Sequence, residues 1–162
     1  MSKLANKIAL FLPSLHGGGA ERVMVNLARG FSERGINVDL VLAKAEGPYL
    51  SQVPPAVKVV NLRASRVLFS LSGLVRYLRQ EQPKAVLSAM DHANIIAIWA
   101  QKLSGMPCRV VVSVHSTLSR ATAHSPNLRG RLMPNFIRIF YPWADTVIAV
   151  SNGVAEDLAK IT

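Results

Sequence analysis

Six apolar runs rich in β-branched residues recur along the chain: KIALFLP (7–13), NVDLVLA (37–43), VKVVNL (57–62), KAVLSAM (84–90), RVVVSVH (109–115) and TVIAVS (146–151). Most are continuous and not alternating, the pattern of strands covered on both faces in a parallel sheet flanked by helices. Helical spacing fills the gaps. Ala20, Val23, Met24, Leu27 and Phe31 predict one apolar helix face, with Gly35 as its C-terminal stop. A second helix is predicted over SLSGLVRYLRQEQ (70–82) before Pro83, and a third over HANIIAIWAQKLSG (92–105) before Pro107. A fourth lies within NLRGRLMPNFIRIFYPWA (127–144), where Pro134 and Pro142 predict interruptions. Residues 44–56 and 116–127 read as loops, and there is no internal repeat.

Strands alternating with helices build an α/β fold. A doubly wound, Rossmann-like sheet of about six parallel strands is expected, with helices on both faces and the strand order 3-2-1-4-5-6. Such sheets bind ligands where the order reverses, between strands one and four. The crevice is therefore expected between His16–Ala20, after the first strand, and Asp91–Asn94, after the fourth, with His115–Thr117 alongside.

Gly17, Gly18 and Gly19 stand between the first strand and the first helix. A helix N-terminus carries free N–H groups and partial positive charge, so glycines there let an anion or sugar phosphate meet bare backbone. A tight turn alone would account for one or two of them. The dinucleotide fingerprint G-x-G-x-x-G is broken, because counting from Gly17 puts Arg22 at its last position, and Asp39 lies within the second strand, not at its end. No glycine is followed by Lys and then Ser or Thr, which excludes a P-loop.

The 162 residues, half of them apolar, suffice for one domain with a core. The longest apolar stretches fall far short of the roughly 20 residues of a membrane-spanning helix, and MSKLANK lacks a signal core, so a cytoplasmic protein is expected. Cys108, the single cysteine, excludes a disulfide framework and reads as a buried spectator. Nineteen Lys and Arg oppose nine Asp and Glu. No acidic residue occurs between Asp91 and Asp145, a span holding Lys102, Arg109, Arg120, Arg129, Arg131 and Arg138. This half should attract anions: a phosphorylated ligand, nucleic acid or an anionic leaflet, if the charge is more than a solvated surface.

The stretch KIALFLPSLHGGGAERVMVNLARGFSERGINVDLVLA resembles the opening of family 4 glycosyltransferases, retaining enzymes of the GT-B fold in which two Rossmann-like domains close on a nucleotide-sugar. The likeness continues through VLSAMDHANIIAIWAQKLSGMPCRVVVSVHSTLS and ends with ADTVIAVSNGVAEDLAKIT. It implies that residues 1–162 form the N-terminal, acceptor-side half of a GT-B fold, without the C-terminal domain that carries the nucleotide pocket. It assigns Gly17, Gly18 and Gly19 to the donor's diphosphate and sugar, and His115 to the transferred sugar as the catalytic-site histidine. Asp91, His92 and Asn94 match the loop facing acceptor and donor sugar, while Ser151 and Asn152 follow strand six near the interdomain cleft.

Each assignment has a plainer rival. His115 has the setting of a buried histidine bonded to a carbonyl, Asp91 of a helix cap, Glu21 of a partner for the helix dipole, and His16 of a loop filler; His124 stays unassigned. No histidine spacing suits a metal, and none is expected in a GT-B enzyme. In the retaining mechanism that the resemblance implies, the leaving diphosphate takes the acceptor's proton and the protein positions substrates and stabilises charge. Arg129, Arg131 and Arg138, interleaved with Leu132, Met133, Phe136, Ile137, Ile139, Phe140, Tyr141 and Trp143, read as core on one side and have the residue types of a helix lying on an anionic membrane face.

The expectation is thus half of a retaining hexosyltransferase, inactive by itself. The whole enzyme moves a sugar from a nucleoside diphosphate onto a saccharide or lipid-linked acceptor in bacterial envelope polysaccharide synthesis. No cofactor is expected, because the nucleotide-sugar is a substrate. The alternative is a non-catalytic module for a phosphorylated ligand or nucleic acid; low aromatic content and the lack of a reading motif weigh against nucleic acid.

Overall fold

The computed structural model describes residues 7–117 and 128–162; Arg120 and His124, and the side chain of Arg129, lie outside them. Six strands form one sheet: β1 (Lys7–Leu12), β2 (Asn37–Leu42), β3 (Lys58–Asn61), β4 (Ala85–Ala89), β5 (Arg109–Val114) and β6 (Thr146–Ala149). Every pairing is parallel and the order is β3-β2-β1-β4-β5-β6, the doubly wound arrangement expected from the sequence. The helices are α1 (Gly19–Glu33), α2 (Leu71–Glu81), α3 (Asp91–Ser104), α4 (Leu128–Phe140) and α5 (Asn152–Ala159).

The continuous apolar runs feed two cores. Along β1, Ala9 and Phe11 face the layer of α2, α3 and α4, where Leu74, Leu78, Ile98 and Ile137 meet them. Leu10 and Leu12 face the other way, onto Met24, Val25 and Ala28 of α1. Both faces are buried because successive side chains point to opposite sides of a strand. Full burial of one leucine contributes about 1.5–3 kcal/mol, which the central strands collect on both sides.

Two expectations are corrected. The buried stripe of α1 is Glu21, Met24, Val25 and Ala28, whereas Val23 is 42% exposed. Of the predicted face, Met24 is buried and Ala20, Leu27 and Phe31 pack against the core, so only Val23 departs, and it belongs to the crevice described below. Pro134 does not interrupt α4, which runs unbroken from Leu128 to Phe140. The proline leaves a single carbonyl, that of Gly130 one turn earlier, without its helical partner. Pro142 does end the helix, in a 3-10 turn over Tyr141–Trp143.

A charged cluster lies under the opposite end of the sheet from that crevice. Lys7, 7% exposed, lies 3.4 Å from Asp39 Oδ2 and donates to Glu81, which also receives Lys58 Nζ at 3.1 Å. The Tyr77 hydroxyl donates to Asp39 Oδ2 at 2.7 Å. Burial alone would lower the Lys7 pKa, but the hydrogen bond to Glu81 and the two carboxylate charges hold it above its ordinary value. The same bonds, from Lys7 first and then Lys58, hold Glu81 below the usual carboxylate range. The cluster ties α2 to the starts of β1 and β3.

Candidate functional site

At the reversal between β1 and β4 the chain leaves a crevice of about 590 Å³. One wall is the turn into α1, contributing Gly18, Gly19, Ala20, Glu21 and Val23. The facing wall is Met90, Asp91 and His92 at the start of α3; His115 and Ser116, after β5, and Val150, after β6, close the far side. These segments meet because all are C-terminal ends of neighbouring parallel strands.

The three glycines serve three different purposes. Gly17 adopts φ +116°, a conformation that side-chain-bearing residues rarely take, and it points only at Pro48. A Cβ on Gly18 would collide with the Glu21 carboxylate, whose Cδ lies 3.1 Å from that position. A Cβ on Gly19 meets nothing within 4 Å. Gly18 and Gly19 line the crevice, and of the two it is Gly19 whose bare backbone opens into free space. It begins α1, so the helix's unpaired N–H groups face the crevice.

The glycine turn is held from outside. Leu15 N–H donates to Glu46 O at 2.9 Å and Tyr49 N–H to Leu15 O at 3.3 Å. At Gly47, φ is +115° and a Cβ would strike Leu15 O, so no other residue lets the two loops close on each other. His16 pairs with Glu46 Oε1 at 3.1 Å on the surface and takes no part in the crevice.

His115 is half-buried, and its Nε2 meets Ser113 Oγ at 2.9 Å. Burial lowers its pKa while the charge of Glu21 works the other way, and the net shift is downward. The imidazole is therefore neutral at pH 7, with one ring nitrogen engaged by Ser113 and the other free to bond a ligand. Asp91, on the first turn of α3, accepts a hydrogen bond from Tyr141 Oη at 3.2 Å. Burial raises its pKa and outweighs that bond. Met90, immediately before it, holds φ +78°, a strained backbone on the crevice wall. His92 is exposed and shared between this crevice and an apolar groove of about 370 Å³.

Asn94, expected among the sugar contacts, lies beneath the crevice at 0% exposure with its amide fully engaged. It accepts from Ser88 Oγ and donates to Ser113 O at 3.1 Å and to Tyr141 Oη at 3.0 Å. It fastens α3 to β4, β5 and Tyr141, and so positions Asp91 without meeting solvent. Ser151 caps α5, accepting from Val154 N–H at 3.3 Å; neither it nor Asn152 lines the crevice, where Val150 stands in their place. Gly17 likewise stays behind the wall.

Sequence reasoning missed Tyr141 and Ser88, whose partners are remote in sequence, and Gly47, whose requirement comes from the neighbouring loop. It placed Glu21 with the helix dipole, and the interval from Gly18 to Glu21 is that of a helix cap and its third residue, where a carboxylate folds back over the turn. Among the described residues no group of three His, Cys, Asp or Glu is placed to hold a metal ion.

The family model Glycosyltransferase Family 4 matches residues 17–161. No curated protein matches the chain in sequence. Among solved structures, the lipopolysaccharide outer core galactosyltransferase WaaB superposes with a TM-score of 0.67 at 17% identity, over 96% of this chain and 42% of that one. Anabaena HepE in complex with UDP and glucose gives 0.70 at 19% identity, over 96% and 41%. Acinetobacter baumannii MurG gives 0.57 at 14% identity, over 91% and 42%. The chain thus spans about two fifths of the length of each, and the shared feature is the fold.

Proposed function

The chain belongs to glycosyltransferase family 4, and from that premise we propose that it is the acceptor-side, Rossmann-like half of a retaining GT-B hexosyltransferase. It transfers a sugar from a nucleoside diphosphate to a saccharide or lipid-linked acceptor. The observation that carries this reading is the crevice at the strand reversal, where the open backbone of Gly19 and the N-terminus of α1 face His115 and Asp91. HepE, whose fold this chain shares, has been solved with UDP-glucose, which supports a nucleotide-sugar as the donor.

In this reading the chain's own groups position and stabilise. The neutral His115 imidazole bonds the transferred sugar, and Asp91, held by Tyr141, orients a hydroxyl across the crevice. The leaving diphosphate takes the acceptor's proton, and neither a metal nor a cofactor is required. By themselves these 162 residues are expected to bind a sugar nucleotide without turning it over.

The lipid-linked alternative among acceptors is favoured by the apolar groove that meets the crevice at His92, lined by Val67, Ile95, Trp99, Met133 and Phe136. Leu68, which also lines that groove, and Phe69, Ile139 and Trp143 are exposed, and Arg131 and Arg138 are exposed on α4 with Ile139. Such a surface suits peripheral contact with the anionic cytoplasmic face of a membrane, as in envelope polysaccharide synthesis. Among the described residues no helix is long and apolar enough to cross a membrane.

The test is a calorimetric titration with UDP-hexoses and GDP-hexoses, alongside an assay for nucleoside diphosphate release. We expect binding that weakens in His115→Ala and no turnover by the chain itself. Tight binding of a nucleic-acid oligomer with no response to any sugar nucleotide would replace this reading by the non-catalytic module.

A further inference from the structure

Two carboxylates, Glu21 and Asp91, and two imidazoles, His92 and His115, line the crevice, and among the described residues no Lys or Arg does. That is an unfavourable lining for a diphosphate and a suitable one for a neutral group rich in hydroxyls. Glu21 is the less explained of the two carboxylates. It is 7% exposed and lines the crevice, yet among the described residues nothing donates a hydrogen bond to its carboxylate and no cation pairs with it. The carboxylate is folded back over the turn, where the missing side chain of Gly18 makes room for it. Its charge is felt by His115 across the crevice. Neither carboxylate oxygen is sealed from solvent, so its open acceptor positions are available to a donor supplied from outside the chain.

We propose that Glu21 is a saccharide-binding residue, whose carboxylate accepts hydrogen bonds from sugar hydroxyls in the crevice, so that the sugar and not the diphosphate rests on the Gly18 side of the turn. The inference deepens the glycosyltransferase reading and rests on it. It leaves the diphosphate only Gly19's backbone in this half, and draws the cations that neutralise the diphosphate from outside the crevice lining. The hydroxyls could belong to the donor sugar or to the acceptor, since the recognising chemistry is the same.

The experiment uses the 162-residue chain, with the His115 ring signals followed by NMR. Probes are methyl glucoside, methyl galactoside and methyl mannoside, inorganic pyrophosphate, UDP and UDP-glucose, added to the wild type, Glu21→Gln and Glu21→Asp. Charge-assisted hydrogen bonds are about twice as strong as neutral ones, so Glu21→Gln should weaken the preferred glycoside about tenfold. Pyrophosphate should bind equally well or better once the charge is gone, Glu21→Asp should recover part of the glycoside affinity, and the His115 pKa should fall in Glu21→Gln. If UDP-glucose loses its advantage over UDP in Glu21→Gln, the donor sugar is the ligand; if only the glycosides weaken, it is the acceptor.

Should Glu21→Gln fail to fold, Gly18→Ala, which displaces the carboxylate without removing it, must give the same selective loss. The proposal is overturned if Glu21→Gln binds glycosides as the wild type does, if the wild type binds none, or if pyrophosphate is the probe that weakens. UDP-glucose and glycoside binding that both persist unchanged in the variant remove Glu21's role and leave the family reading standing. Loss of UDP-glucose binding in the wild type as well removes both.

Discussion

Replacing Gly17, Gly18 and Gly19 by alanine one at a time separates what the fold requires of this turn from what a ligand requires. At Gly17 the strain of a side chain at φ +116° should cost about 1–3 kcal/mol, because the space itself is open. At Gly18 the backbone is extended, and the new methyl group only has to push aside a flexible carboxylate. The expected loss there is the carboxylate's interaction with the helix N-terminus, about 0.3–1 kcal/mol. Gly19 is the first helical residue and its methyl group meets nothing, so alanine should stabilise the chain by about 0.4–1 kcal/mol through the unfolded state. Stability should therefore rank Gly19→Ala above the wild type, then Gly18→Ala, then Gly17→Ala. The differences are readable in urea unfolding followed by the fluorescence of Trp99 and Trp143, or as melting shifts of about 2–4 °C per kcal/mol. Ligand binding should rank differently. Gly19→Ala, the most stable variant, should lose sugar-nucleotide affinity tenfold or more, because its methyl group occupies the open crevice. A destabilised Gly19→Ala, or one that binds normally, would refute the idea that this backbone faces a ligand.

Lys7→Met should destabilise the fold by about 3–5 kcal/mol, since it strands the buried Asp39 carboxylate, and adding Asp39→Asn should return part of that loss in urea titrations. Glu81's pKa is depressed in the folded state, so its share of stability is present above the unfolded carboxylate range and is lost as pH falls through the folded value; Glu81→Gln should flatten that acid limb in melts between pH 3 and about 6. Tyr141→Phe should cost about 1–3 kcal/mol and raise the Asp91 pKa further, seen by carboxyl NMR, because the hydroxyl bond is what opposes burial there. The Cys108 thiol, buried and with its pKa pushed up to about 11, should resist iodoacetamide at pH 8 until the protein unfolds.

The strands, their order and the position of the crevice were legible in the sequence because they depend on local periodicity and on a topological rule that needs no side-chain detail. The walls of the crevice were legible only in part. Asn94 shares the first turn of α3 with Asp91, and position alone suggested a shared role; its burial follows from the apolar run Ile95–Ile98 around it, a cue that was available. Its partner Tyr141 lies 47 residues further on, beyond the reach of any pattern. On α1 the spacing placed Ala20, Met24, Leu27 and Phe31 rightly, and only Val23, treated as core on hydrophobicity alone, lines the crevice instead. The fourth helix was predicted broken at Pro134, and it runs on through the proline with one carbonyl left without its helical partner. Gly18 was read as making room for a ligand, and its nearest claimant is a side chain three positions away.

The closure of the loop at Gly47 onto Leu15 has a mechanical consequence. Gln52, at the far end of that same loop, takes a bond from Arg29 on α1 at 3.2 Å, so the segment is stapled at both ends to the unit that carries the glycines. A molecule that levers the turn outward must carry residues 46–52 and the middle of α1 along with it. Amide exchange in these three stretches should slow together on occupancy, as one lid-sized body and not as three independent loops.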